Sequence, residues 1–351
     1  MEELAQLAKT ANSQVAGRLI QKLDRPHSVT YLGKGKLDEL VLKRQNADWD
    51  LIVFDDELSP RQQSTLEQIL KIKIIDRVAL ILDIFARHAR TREGKLQVEL
   101  AQHQYLLPRL SGQWSHLERL GGGIGTRGPG ESQLETDKRL IRNKISKLKK
   151  ELAEVRRHRT LYRDKRRRSG IPIVALVGYT NTGKSTLLNA LSQAGVLAEN
   201  KLFATLDPTT KRLTLPDLST ILLSDTVGFI RKLPTTLVEA FSATLEELAE
   251  ATMLLHVVDM TSHNAAEQNL VVEGILRDLK LENKPRLTAL NKIDMLLDKN
   301  ESWDEAKALE FLSDMAGDSN NTVLISAEKK WGLKKLTQMI SQQVTQTLNC
   351  Q

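Results

Sequence analysis

Eight residues carry the sharpest chemical signal. Gly178, Tyr179, Thr180, Asn181, Thr182, Gly183, Lys184 and Ser185 follow the apolar run Ile173–Val177 and lead into a helical pattern. Two glycines separated by four residues, before lysine and serine, form a phosphate-binding loop when they join a strand to a helix. The glycines let successive backbone N–H groups wrap phosphate oxygens, and the helix N-terminus adds its own field. Lys184 is expected to reach the β- and γ-phosphates, and Ser185 to bind Mg²⁺. Downstream, Asp225, Thr226, Val227 and Gly228 close another strand. Asp225 is expected to hold the magnesium through its shell, and the Gly228 N–H to sense the γ-phosphate. Asn291, Lys292, Ile293 and Asp294 follow a third strand. The Asp294 carboxylate can accept two hydrogen bonds from guanine, whereas adenine offers neither donor and would leave it unpaired. Ser326, Ala327 and Glu328 follow the last strand, with the Ala327 N–H expected to support the base. These four elements in this order predict a GTPase domain that takes GTP and GDP with Mg²⁺.

Two positions bear on catalysis. Phe203, Ala204, Thr205, Leu206 and Asp207 precede Thr209 and Thr210. A switch threonine must meet the magnesium when γ-phosphate is present, and Thr205, Thr209 and Thr210 are all candidates by sequence. The residue after Gly228 is Phe229, where Ras-type enzymes carry the glutamine that orients the attacking water. Phenylalanine cannot do so, and slow hydrolysis by the free protein is expected. Asn181 is a candidate ligand for a K⁺ ion that would supply the missing charge; its alternative role is to shape the loop.

The elements that must position these residues follow from the apolar pattern. Residues 170–351 alternate strand and helix, predicting a doubly wound, mostly parallel sheet. Leu213–Leu215 and Ile221–Leu223 read as a hairpin, Val238–Ala249 as a helix. Residues 1–90 read as a small α/β domain, with a helix over Glu2–Ala11, strands at Val15–Ile20, Leu51–Phe54 and Ile72–Ile75, and a helix opened by Ser59 and Pro60. Residues 91–169 carry apolar side chains at spacings of three and four, from Leu96 to Leu117 and from Ile141 to Val155. That pattern predicts a long antiparallel helical hairpin, kinked or restarted at Pro108, with its second helix from Ser132 to about Arg166. Six of the chain's 19 glycines fall in residues 121–130, at its tip. Gly123, Gly125 and Gly128 have the spacing of a dinucleotide fingerprint but follow a helical pattern, so that reading fails on context.

Charge is concentrated. Lys138 to Arg168 holds 15 basic side chains against Glu151, Glu154 and Asp164, a local net of +12, while the whole chain carries +7 and the remainder therefore −5. A basic arm on a mildly acidic body suits a polyanion, nucleic acid first, although a solvated helix face has the same composition. The chain's 351 residues imply two or three domains. Cys350 is the single cysteine, which excludes an intrachain disulfide framework. No apolar run has membrane-spanning length, and the first residues lack the apolar core of a signal peptide. A cytoplasmic protein with no membrane partner is expected.

The run Gly121–Asp137 resembles the hallmark of the HflX family. So do Phe203–Thr209, Asp225–Ile230, Asp83–Ala86 and Gly94–Leu100. HflX proteins are ribosome-associated GTPases of bacteria. The resemblance implies that Thr205 is the magnesium-linked switch threonine, joining Ser185 as a metal ligand. It implies that Phe203 to Asp207 line the nucleotide; with Thr205 so placed, Lys184, Gly228 and Asn181 complete the candidate catalytic set read from the motifs. It implies a large ribosomal subunit partner, contacted through rRNA by the basic arm, with the glycine loop entering the peptidyl-transferase centre to help split stalled ribosomes. The ribosome then becomes a second way to complete the site around Thr205 and Gly228. The alternative is an rRNA-binding module for assembly or hibernation, whose hydrolysis only times release. A monomer, partly ribosome-associated, is expected. Relatives often carry a further domain after the GTPase domain and a strand before the first helix, and neither is expected within these 351 residues. The resemblance also raises adenine-nucleotide binding by the N-terminal region, where Gly33–Lys36 before a helix offers an anion site against the plainer reading of a loop.

Overall fold

The computed structural model describes the chain except residues 46, 111–132, 169, 193–201, 233–241, 299, 317–319 and 350–351. The glycine loop at 121–130 lies outside the described residues. Two compact units emerge, one over Met1–Arg156 and one over Arg157–Leu233 with Phe241–Gln351.

In the first unit, helices α1 (Glu2–Thr10) and α2 (Lys34–Gln45) precede β1 (Leu51–Phe54), α3 (Pro60–Leu70), β2 (Lys73–Asp76), α4 (Arg77–His88) and α5 (Arg92–Leu106). Strands β1 and β2 pair in parallel, Leu51 opposite Lys73. Ser59 opens α3 as expected: its hydroxyl accepts from the Gln62 N–H, the Gln62 side chain accepts from the Ser59 N–H, and Pro60 occupies the first turn. Leu37, Leu40, Phe54, Leu58, Leu66 and Ile74 build the core beneath these elements. The expected strand at Val15–Ile20 does not form. A short apolar run becomes a strand only through a ladder partner; this one has none among the described residues, and Ile20 stays 63 % exposed.

Pro108, expected to kink or restart the helix, lies in a tight 3₁₀ turn over Leu107–Arg109 that directly follows α5. Helix α6 (Gln133–Arg168) has 36 residues, about 54 Å at 1.5 Å per residue, and runs from the first unit into the second. Leu148 and Leu152 on α6 bury against Leu96 and Leu100 on α5, with Lys144 and Glu99 paired at 2.8 Å beside them. Lys147, Lys149, Lys150, Arg156 and Arg157 remain exposed.

In the second unit, β3 (Ile173–Val177), α7 (Lys184–Ser192), β4 (Thr209–Thr214), β5 (Thr220–Asp225), α8 (Ser242–Glu250), β6 (Met253–Asp259), α9 (Ala265–Asp278), β7 (Arg286–Asn291), α10 (Glu305–Phe311), β8 (Thr322–Leu324) and α11 (Leu333–Asn349) follow in order. The sheet order is β4-β5-β3-β6-β7-β8, with β4 antiparallel to β5 and every other pair parallel. The hairpin expected at Leu213–Leu223 is present, with longer arms than the apolar runs marked. The start of the expected Val238–Ala249 helix lies outside the described residues. Val174, Leu176, Leu255 and Val257 pack with Leu187 and Leu188 of α7 and Leu336 and Ile340 of α11. Chain order reverses at β3, between β5 and β6, and such a switch point opens a crevice at the carboxyl ends of the strands.

Candidate functional site

The crevice is lined by Thr180, Asn181, Gly183, Lys184, Ser185, Thr186, Phe203, Ala204, Thr205, Thr226 and Gly228. The loop from Gly178 to Gly183 joins β3 to α7 and is held from the side by the segment after β5. The Thr180 N–H donates to the Phe229 carbonyl at 2.8 Å, and the Phe229 N–H donates to the Gly178 carbonyl at 3.0 Å. The Tyr179 hydroxyl accepts from the Arg231 N–H at 3.0 Å. Phe229 is thus a buried brace between two nucleotide-facing loops, and its apolar ring has no polar group with which to orient an attacking water. Gly228 has no room for a side chain: a Cβ there would lie 2.7 Å from Thr180 Cα and 3.0 Å from Lys184 Nζ.

Lys184 is buried at the mouth of the loop. Its Nζ donates to the carbonyls of Tyr179 (2.7 Å) and Gly178 (3.2 Å). Burial pushes the ammonium down to about 8, with Asp225 pulling the other way. Beside it three side-chain oxygens converge. Ser185 Oγ donates to Asp225 Oδ2 at 2.6 Å, Thr205 Oγ1 donates to the same oxygen at 3.0 Å, and the two hydroxyls are 2.7 Å apart. Asp225 is fully buried, burial raises its carboxyl despite Lys184 nearby, and its Oδ1 makes no hydrogen bond. Hard oxygen donors around an unsatisfied carboxylate oxygen fit a magnesium ion. Of the three threonines open by sequence, Thr205 reaches this cluster, whereas Thr210 Oγ1 sits 3.1 Å from Ser224 Oγ. Thr209 lies opposite Asp225 in the β4–β5 ladder. Thr226 is tied to the Leu176 carbonyl at 2.5 Å, and Val227 is buried. Phe203 holds a left-handed conformation (φ 58°) against the pocket, with Leu206 buried and Asp207 half-buried after it. Asn181 is also left-handed (φ 63°) and faces the same pocket.

The base-side residues lie outside that pocket and are joined to it by Asn291. Asn291 Nδ2 donates to the Thr182 carbonyl at 2.8 Å, and Asn291 Oδ1 accepts from the Ala327 N–H at 3.0 Å. The N–H expected to support guanine is therefore engaged with Asn291, and a base would have to share it. Asp294 is half-exposed in a short 3₁₀ turn over Ile293–Met295, preceded by left-handed Lys292, while Ile293 is buried. Ser326 is buried and accepts from the Lys329 N–H at 3.0 Å, and Glu328 is exposed. One participant had no motif to announce it: Asp259, at the carboxyl end of β6, accepts from Lys292 Nζ at 2.7 Å. Its place at the end of a parallel strand was the available signal.

Comparison with known proteins gives this arrangement a family. Residues 1–86 match a family model described as GTP-binding GTPase N-terminal, residues 88–166 one described as GTP-binding GTPase Middle Region, and residues 173–292 one described as 50S ribosome-binding GTPase. A GTPase HflX of Caldanaerobacter subterraneus subsp. tengcongensis is 49% identical over 344 residues, covering 98% of this chain and 77% of its own length. The chain belongs to the HflX GTPase family. The GTPase HflX of Escherichia coli is 42% identical over 345 residues, covering 98% of this chain and 79% of its own. A crystal structure of a protein named SsGBP in complex with GDP is 28% identical and superposes with a TM-score of 0.50, over 98% of this chain and 95% of that one. The HflX chain described here binds guanine nucleotide and hydrolyses GTP. Among its described residues no helix is long and apolar enough to cross a membrane.

Proposed function

We propose that this GTPase is a guanine-nucleotide switch that binds the large ribosomal subunit and, in its GTP form, drives or maintains the separation of subunits. The observation that carries this reading is the exposure of Lys147, Lys149, Lys150, Arg156 and Arg157 along one helix continuous with the GTPase unit. Lysine and arginine turned to solvent along a rod gain affinity for rRNA by releasing its counterions. The family description for residues 173–292 points to the same partner. In this reading the chain has three working parts: residues 1–90, the arm over 91–169 and the GTPase domain over 170–351.

At the site, the backbone from Gly178 to Gly183 cradles the phosphates and Lys184 moves from the loop carbonyls to the β- and γ-phosphates. Ser185 and Thr205 hold magnesium, with Asp225 gripping both hydroxyls from behind. Bound there, the ion neutralises charge that builds on the phosphate oxygens. Thr205 and the Gly228 N–H register the γ-phosphate, and Asp294 reads the base. Phe229 leaves the attacking water unoriented, so the ribosome or a K⁺ ion beside Asn181 completes the site.

The arm is tested by reversing Lys147, Lys149, Lys150, Arg156 and Arg157 to glutamate and measuring co-sedimentation with purified large subunits. Binding is expected to fall by orders of magnitude and to lose most of its salt dependence, with GTP affinity kept. Undiminished binding would show that these side chains form a solvated face only.

A further inference from the structure

A part-buried polar chain runs through the GTPase unit beside, but not in, the nucleotide pocket. Arg159, on the last third of α6, donates from Nη2 to Glu247 Oε1 at 2.9 Å. Glu247 lies on α8, and its other oxygen accepts from Ser224 Oγ at 2.7 Å. Ser224 Oγ stands 3.1 Å from Thr210 Oγ1. Since the serine proton goes to Glu247, Thr210 is the donor in that last pair. Both carboxylate oxygens of Glu247 are therefore used, one by the long helix and one by the sheet.

The placement of the two hydroxyls gives the chain its meaning. Ser224 is the residue before Asp225 on β5, and Thr210 faces it across the β4–β5 ladder. Thr210 lies shortly after the run from Phe203 to Asp207 that carries Thr205. Arg159 and Glu247 are only 13% and 12% exposed, and Ser224 is 1% exposed. Removing one partner of a pair this shielded from water leaves the other charge stranded. Arg159 also differs from the exposed basic residues of its helix in being spent on an internal contact, and is turned away from a polyanion.

We propose that Glu247 is a positioning residue that locks α6 to β4 and β5, so that Arg159, through Glu247 and Ser224, sets the orientation of Asp225 toward magnesium. This rests on the magnesium reading of Ser185, Thr205 and Asp225. It also gives the long helix a physical route to the hydrolytic site that needs no contact with nucleotide.

The test is retention of a fluorescent GDP by the full-length chain across a Mg²⁺ titration, with EDTA as the baseline. Glu247→Gln keeps the shape and removes the charge, and is expected to raise the half-protecting Mg²⁺ concentration at least about fivefold, the lower end of ordinary coupling between sites. Release in EDTA should stay within about twofold of wild type, because the phosphate loop itself is untouched. Ser224→Ala should shift the midpoint in the same direction; it removes one hydroxyl and carries the test if Glu247→Gln does not fold. Arg159→Lys should retain more of the wild-type midpoint than Arg159→Leu. The Arg159→Leu, Glu247→Gln double variant should be no worse than Glu247→Gln alone. An unmoved midpoint in both Glu247→Gln and Ser224→Ala, or an equal acceleration of release in EDTA, overturns the proposal in favour of a purely structural bridge. Wild-type retention indifferent to Mg²⁺ would instead refute the metal reading, and this proposal with it.

Discussion

Gly183 and Asn291 give the sharpest quantitative test of the site's wiring. Gly183 has φ 93°, and a Cβ built on it would lie 2.4 Å from Asn291 Nδ2. Gly183→Ala therefore incurs two costs. Placing a side chain on a left-handed backbone costs roughly 1–2 kcal/mol. The new methyl also drives the Asn291 amide out of its seat between the Thr182 carbonyl and the Ala327 N–H. Each buried group so stranded costs roughly 1–3 kcal/mol, giving a total of roughly 3–8 kcal/mol for the substitution. Asn291→Ala loses the same two bonds and nothing else, roughly 2–6 kcal/mol. The double variant has no amide left to displace, so it should cost no more than Gly183→Ala alone. The sum of the singles then exceeds the double by roughly 2–6 kcal/mol, a discrepancy of about 30-fold or more in an equilibrium constant. The assay is the unfolding free energy of wild type, both singles and the double, by chemical denaturation. Free-energy changes that add within about 0.5 kcal/mol would show that Gly183 is not kept small by Asn291.

Two further outcomes follow from the roles assigned at the pocket. Asp294→Asn should weaken GTP and favour xanthosine triphosphate, because an amide can donate to the xanthine carbonyl where a carboxylate cannot; competition between the two nucleotides measures it, and an unchanged guanine preference would remove Asp294 from base reading. Hydrolysis by the free chain should be slow in sodium and should rise in potassium or on adding large subunits, with Asn181→Ala abolishing only the potassium effect. Fast turnover in sodium without ribosomes would contradict an incomplete site.

The sequence made the phosphate loop, the hairpin before Asp225 and the capped start at Ser59 legible, because each depends on residues close together in the chain. The Ser59 and Gln62 exchange is a local geometry written in four residues. Val15–Ile20 shows the limit of such reading: a short apolar run does not tell whether a neighbour offers a ladder, and among the described residues none does. Pro108 marks a break in the apolar spacing that begins at Leu96, because a proline has no N–H to donate, and the regular run stops at Leu106. Thr205 was one of three threonines by composition; folding places it against Ser185 and Asp225, 20 residues away on either side in sequence. The links from Asn291 to Thr182 and from Arg159 to Glu247 span 109 and 88 residues, and no periodicity encodes contacts that arise only when elements pack.

The measurement closest to the central claim is a sucrose-gradient sedimentation profile of intact ribosomes after adding this protein with GTP, GDP or a non-hydrolysable GTP analogue. Conversion of whole ribosomes into separate subunits with GTP and with the analogue, but not with GDP or with Lys184→Ala, is the result predicted by a switch that acts in its triphosphate form. Co-migration of the protein with large subunits in the triphosphate state, while the population of intact ribosomes stays unchanged, would contradict subunit separation and favour an rRNA-binding factor whose hydrolysis times release.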